Sequence, residues 1–294
     1  MTTVLQWDPD TKSNVCSLTR AQRRGVCDDT IARSSRITTE HASQGATLDS
    51  TFIKEQLPPL PPVAVVDTDS PNPVSIIDLD AFSVARQLMD EFPEHAIGNT
   101  AVLNLASDIE PGGGWNFTLD KTQEEALCYS STLFSTLSPS YYPWPNLGPG
   151  STAGVFSPGV VIFKNDLDHD CVDLAPEECR VVSVITVAAP YGPALMEGRE
   201  DFANNSDLED LRGKIRLVYR MAGAHGKKFL VLGAMGCGAY VCPPRAVARE
   251  MRDILLEPEF KGYFSKVVFA VYASPGEGER NFKIFGEVFS GVTV

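Results

Sequence analysis

Residues 110–125 read EPGGGWNFTLDKTQEE, and they follow closely on a short apolar run at 101–105, AVLNL. Three consecutive glycines, Gly112, Gly113 and Gly114, are separated by eight residues from Gln123-Glu124-Glu125. Residues without a Cβ let main-chain N–H groups approach an anion closely, and paired carboxylates at a helix start are a candidate acid/base centre. The stretch therefore fits a phosphate cradle and a catalytic carboxylate in one loop. It also fits a plain glycine turn followed by a solvated acidic pair that complements a helix dipole. Taken alone, the plainer reading carries more weight, because short motifs recur by chance.

The flanking sequence places the stretch in an α/β pattern. On its C-terminal side a helix is expected over 122–137, with Thr122 and Glu125 spaced as a capping box. Pro139 and Pro143 end it and open an aromatic loop, Tyr141-Tyr142-Pro143-Trp144. On its N-terminal side, 79–92 aligns Leu79, Phe82, Ala85, Met89 and Phe92 on one helical face. Strands are expected at 101–105, 160–163, 181–188, 229–232 and 267–272, and the β-branched 181–188 run should be central. Leu208, Leu211, Ile215, Val218 and Met221 mark a helix over 208–224. Pro243-Pro244 suit the start of another that runs to about residue 256, and a last one spans 280–289. Strands separated by helices imply a parallel or mixed sheet covered on both faces. No internal repeat is visible.

Residues 1–57 are polar, with a helix expected at 18–36 whose Arg20, Arg23 and Arg24 read as a solvated face. Residues 58–73 hold six of the 21 prolines and read as an extended connector. The chain therefore divides into an N-terminal extension, 1–62, packed on an α/β domain, 63–294.

Composition narrows the function classes. The 294 residues carry 38 acidic and 25 basic side chains, a net charge of −13. That disfavours direct binding to a nucleic-acid backbone, which needs a basic stripe. A phosphorylated ligand would have to be held by main-chain N–H groups and helix dipoles. No run approaches the roughly 20 apolar residues that span a bilayer, and the first residues show no secretory apolar core. Seven cysteines at scattered spacings argue for a reducing compartment, so an intracellular protein, cytoplasmic and/or nuclear, is expected.

A second glycine loop, GAMGCGAY at 233–240, also follows an expected strand and precedes an expected helix. In an open α/β sheet, ligands bind beyond such strand ends. Neither loop is a P-loop, and the second runs G-x-x-G-x-G, which is not the dinucleotide fingerprint. Two non-standard anion loops could clasp a diphosphate between them; two tight turns explain them equally well. Asp166, Asp168 and Asp170 with Glu177 loosely follow a calcium loop, but Cys171 stands where glycine is needed, so a solvated acidic loop is the better reading. Cys237 and Cys242 lack a second Cys or His pair at zinc spacing, and the four histidines are scattered.

The run NLASDIEPGGG, eight further residues and QEE resembles the signature of the microbial-type poly(ADP-ribose) glycohydrolases. LGAMGCGAYVCPP is similar to their diphosphate-binding loop, and VSVITVAAP and VVFAVYAS are similar to their strand ends. The likeness runs from about residue 20 to the C-terminus. It implies a macrodomain-like three-layer α/β/α sandwich with a mixed central sheet and an N-terminal extension, which binds ADP-ribose and hydrolyses ribose–ribose O-glycosidic bonds of poly(ADP-ribose).

Glu125 then matches the catalytic acid/base, and Glu124 the neighbour that orients the adjoining ribose. Gly112, Gly113 and Gly114, with Gln123, match substrate-binding positions at the distal ribose and diphosphate. Gly233, Ala234, Gly236, Cys237, Gly238, Ala239 and Tyr240 match the loop over the diphosphate. Asn104 matches a ribose-contacting asparagine or is a strand-end turn residue; Tyr272 stacks on adenine or is a core aromatic. A catalytic Glu125 must face the ligand, so its own helix should satisfy it poorly. No cofactor and no metal are implied; ADP-ribosylated proteins are the expected carriers, and no membrane is involved. Two rivals are a non-catalytic ADP-ribose reader and a hydrolase of single ADP-ribose units.

Overall fold

The computed structural model describes residues 16–63 and 72–294, so the middle of the proline-rich connector lies outside the described residues. In chain order the elements are α1 (Arg20–Glu40), β1 (Thr51–Ile53), β2 (Ser75–Ile77), α2 (Ala81–Glu91), α3 (Pro93–Ala96) and β3 (Thr100–Leu105). The two short helices α4 (Trp115–Thr118) and α5 (Gln123–Ser130) and a single turn, α6 (Leu133–Thr136), come next. The second half holds β4 (Gly154–Ile162), β5 (Arg180–Val187), α7 (Asn205–Ala224), β6 (Phe229–Leu232), α8 (Pro244–Leu255), β7 (Lys266–Ala270) and α9 (Glu277–Val288).

One seven-stranded sheet runs β1-β4-β5-β3-β6-β7-β2. From β5 to β2 every pairing is parallel, and β4 is antiparallel to both of its neighbours. The parallel strands are mostly apolar because both faces are covered, with Asn104, Ser183 and Thr186 as buried polar exceptions, and successive residues serve different cores. Ala101, Leu103, Leu230, Leu232, Val267 and Phe269 join the core under α7, α8 and α9. Val102, Val184, Val231 and Val268 face the opposite core, with Phe82 and Leu88 of α2 and Leu127 of α5. The result is the expected three-layer α/β/α sandwich with a mixed sheet. Strands β3, β5, β6 and β7 all end at one rim of the sheet, and both glycine loops leave from it.

Three local expectations need correction, and two strands had no expectation at all. The helix expected over 122–137 is broken at Ser131, which is extended and bridges Ile162 of β4. The hydroxyls of Ser130 and Ser131 bond back to helix carbonyls, and the Thr132 N–H donates to the Val161 carbonyl (3.0 Å), so the polar triplet leaves the helix for the sheet. The strand expected at 160–163 begins six residues earlier, at Gly154, and passes Pro158-Gly159 through an irregularity in its pairing with β5. The strand expected at 267–272 ends at Ala270, which leaves Tyr272 in the following loop. Strands β1 and β2 went unseen because three residues at a sheet edge carry no periodic signal.

Candidate active site

Glu124 and Glu125 open α5, and both are buried, at 2% and 5% exposure. Their settings differ. Glu124 Oε1 accepts from Asn104 Nδ2 (3.0 Å), and Oε2 accepts from the Ser107 N–H (2.7 Å). Asn104 is wholly buried on β3 and also donates to Thr186 Oγ1 of β5 (3.2 Å), so it acts on the site through Glu124. Gln123 closes the same junction: its amide donates to the Leu103 carbonyl (2.8 Å) and accepts from the Leu105 N–H (2.8 Å). The start of α5 is thus bolted to the end of β3.

Glu125 is held more lightly. Among the described residues the Thr122 hydroxyl is the only side chain that donates to it. The capping box is not formed, because Thr122 turns its hydroxyl on this carboxylate instead of accepting a helix N–H. The expectation that Glu125 is poorly satisfied by its own helix is corrected to that extent. Burial raises the pKa of both carboxyls; for Glu125 the Thr122 hydroxyl opposes the rise and Asp120 adds to it.

Gly112, Gly113 and Gly114 all have positive φ, at 62°, 63° and 76°. Each is also sterically confined. A Cβ on Gly112 would meet Phe134 Cδ2 at 2.9 Å, and one on Gly114 would meet the Phe117 ring at 2.5 Å. A Cβ on Gly113 would meet Glu125 Oε1 at 3.0 Å and Glu124 Oε2 at 3.2 Å. The middle glycine is therefore the wall against which both carboxylates rest.

The carboxylates line a cavity of about 320 Å³ whose far wall is Ala234, Gly236, Gly238, Ala239 and Tyr240 of the second loop. Among the described residues the N–H groups of Gly236, Gly238, Ala239 and Tyr240 have no protein acceptor, so they are open to an anion. Cys237 and Gly233 do not line this cavity. Cys237 is buried under the loop, and Gly233 is packed on Leu105, which a Cβ would meet at 3.1 Å.

Leu105, Gln123 and Ala234 also line an adjoining cavity of about 360 Å³. Asp80, Asp166, Asp168 and Tyr272 stand around it. The acidic loop read as solvated is structural: Asp166 accepts from Ser83 Oγ (2.6 Å) and bonds His169 Nδ1 (2.6 Å). Asp168 accepts from the Tyr272 hydroxyl (2.7 Å), which leaves the ring 43% exposed at the cavity edge. Three carboxylates there suit a ligand portion rich in hydroxyl and amino donors, not a phosphate. Among the described residues no group of three or more His, Cys, Asp or Glu is placed to hold a metal ion.

Two supports were missed from the sequence. Arg20, Arg23 and Arg24 of α1 are in part a solvated face, but they also grip the main chain after the first glycine loop. Arg24 donates to the carbonyl of Asn116 (2.5 Å), Arg20 to those of Phe117 and Thr118 (3.1 and 3.3 Å), and Arg23 to that of Leu119 (2.9 Å). Three guanidiniums therefore hold the last carbonyls of α4, an end that has no partners of its own. The second support joins the two glycine loops. Asp108 Oδ1 accepts from the Tyr240 hydroxyl (2.8 Å) and from Asn146 Nδ2 (2.9 Å), and the wholly buried Lys214 donates to the Asn146 carbonyl (2.6 Å). Burial pushes Lys214 down to about 8. Its position was readable: Lys214 falls on the apolar stripe of α7 between Leu211 and Val218, where a lysine is out of place.

Similarity to known proteins follows the same features. Residues 28–165 match the family model for the catalytic domain of microbial-type poly(ADP-ribose) glycohydrolase. The crystal structure of poly(ADP-ribose) glycohydrolase from Thermomonospora curvata is 26% identical, with a TM-score of 0.73 over 91% of this chain and 99% of that one. The same enzyme bound to the inhibitor ADP-HPD gives 26% and 0.71 over the same shares. The enzyme from Deinococcus radiodurans, crystallised with ADP-ribose, is 31% identical, with a TM-score of 0.63 over 75% of this chain and 85% of that one. No curated protein matched the sequence.

Proposed function

The chain belongs to the microbial-type poly(ADP-ribose) glycohydrolase family, and from that premise we propose that it hydrolyses ribose–ribose bonds of poly(ADP-ribose) and releases ADP-ribose, with Glu125 as acid and base. The observation that carries the residue assignment is the inequality of the two carboxylates. Both line the cavity, but Glu124 has each oxygen tied to a donor on a neighbouring segment, whereas Glu125 is met by one side chain among the described residues, the Thr122 hydroxyl beside it.

In this reading the adenosine end of the substrate occupies the cavity bounded by Asp80, Asp168 and Tyr272. The diphosphate lies over the open N–H groups of the second loop, and the distal ribose reaches the carboxylates. Glu125 protonates the leaving ribose 2′-oxygen, and the bond to the anomeric carbon breaks. The ionised Glu125 then takes a proton from the water that attacks that carbon, which restores the acid. Glu124 orients the ribose. Adjacent residues on one turn cannot face each other across a bond, so the two-carboxylate arrangement of most glycosidases does not apply.

Purified protein is expected to convert polymer to ADP-ribose with no added metal, as read by chromatography of the products. Absence of ADP-ribose binding in calorimetry would overturn the assignment. A pH profile tests the acid role separately. Burial raises the Glu125 pKa, so its protonated form survives to higher pH than an exposed glutamic acid. The expected kcat falls on the alkaline side, as pH rises through that raised value; a kcat that climbs through the same range means Glu125 does not start as the acid.

Residues 1–62 fit an extension on a catalytic domain at 63–294, supported by β1 pairing with the sheet edge and α1 gripping the first loop. An intracellular setting is supported by seven free thiols, and ADP-ribosylated proteins are the carriers that the polymer-hydrolase reading implies. Among the described residues no helix is long and apolar enough to cross a membrane.

A further inference from the structure

Two exposed aromatic rings are packed on the two glycine loops. Phe117, at 54% exposure, lies over Gly114, next to the Gly113 that touches both carboxylates. Tyr191, at 64% exposure, packs edge-on against Tyr240, with centroids 4.9 Å apart and planes at 88°. The main chain beneath each ring is anchored. The Phe117 carbonyl is held by Arg20 (3.1 Å), and the Tyr191 N–H donates to Asn146 Oδ1 (2.6 Å), on the Asp108 network. Core packing does not account for a ring that is mostly in water. A surface aromatic on a fixed support is what a stacked ligand needs, because little ordering entropy is lost on binding.

The chemistry of the polymer names the ligand. The group that leaves at Glu125 is the 2′-hydroxyl of an adenosine ribose, so an adenine lies one sugar away from the bond being cut. The two cavities take the unit on the other side of that bond. The leaving unit then lies outside both cavities, whose linings include neither Phe117 nor Tyr191. We propose that these two residues form a stacking subsite for the adenine of the polymer unit on the leaving side. The base is neutral and flat, and each ring offers a π-face, so no cation is needed there. The subsite gives the protein a grip on polymer that free ADP-ribose cannot use, and it rests on the polymer-hydrolase reading above.

The test is calorimetry on Glu125→Gln protein, which keeps polymer intact, titrated with ADP-ribose and with the two-unit oligomer. The oligomer is expected to bind about five- to ten-fold more tightly than ADP-ribose, in line with one partly exposed stack. Tyr191→Ala and Phe117→Ala should each remove much of that advantage without changing the Kd for ADP-ribose, and Tyr191→Phe should retain it. Equal binding of monomer and oligomer by the parent overturns the proposal, as does an equal loss for both ligands in the alanine variants. An advantage seen with an ADP-ribosylated peptide but not with the oligomer also overturns it, in favour of a protein contact. No binding of ADP-ribose at all would sink the assigned function and this subsite together, whereas monomer binding with no oligomer advantage removes only the subsite.

Discussion

Glu125→Gln is expected to lower kcat on poly(ADP-ribose) by about 10³- to 10⁴-fold, the upper part of what one general acid/base supplies. Its Kd for ADP-ribose should stay within about two- to three-fold of wild type, a change worth well under 1 kcal/mol. The amide keeps the shape of the carboxyl and can still meet the Thr122 hydroxyl, so the loop and helix start have no reason to move. What disappears is the transferable proton. Glu124→Gln should behave differently. Its carboxylate accepts from Asn104 Nδ2 and the Ser107 N–H, and an amide puts an NH₂ against one of those donors. Binding and turnover should both suffer there. Single-turnover assays with calorimetry on the two variants separate the cases. Residual activity near wild type in Glu125→Gln would remove Glu125 from the chemistry.

The second large effect is expected at Gly113. An alanine there meets φ +63° and places its Cβ 3.0 Å from Glu125 Oε1 and 3.2 Å from Glu124 Oε2. The backbone strain costs about 1–2 kcal/mol of stability. The consequence should reach catalysis: both carboxylates must retreat by tenths of an ångström, and since about 1 Å of misplacement can cost about 100-fold, kcat is expected to fall by up to about 10-fold. Gly226→Ala is the control, with φ +67° and nothing within 4 Å of the added Cβ. It should lose similar thermal stability and keep its kcat. If the two variants match in both quantities, Gly113 matters for its backbone conformation alone.

Much of this was legible in the chain. Apolar runs with alternate residues in two cores are local patterns, and β3, β6 and β7 could be read from them within two residues of their ends. The triglycine, the Gln-Glu-Glu and the second loop carried the resemblance because their chemistry needs particular residues at a particular spacing. What failed to show was cross-chain. Thr122 looked like a cap, since a sequence does not say where a hydroxyl points once a carboxylate is buried beside it. Asn104 could be read as a ribose contact or as a strand-end turn residue, and the sequence did not show its bond to Glu124. Arg20, Arg23 and Arg24 looked solvated because their partners are main-chain carbonyls, which have no letter of their own in the sequence.

That clamp has a consequence for how the protein assembles. The guanidiniums reach carbonyls 92 to 98 positions further along the chain. Contacts of such separation form late, after local helices and hairpins are in place. Although α1 is translated early, it has nothing to grip until the stretch after the glycines has emerged and the sheet beneath it has closed. A folding molecule can therefore hold much of the sheet and the core under α7, α8 and α9 while residues 116–119 still lack a fixed shape. Recovery of fluorescence or secondary structure is expected to run ahead of recovery of turnover, with docking of the first helix among the last steps.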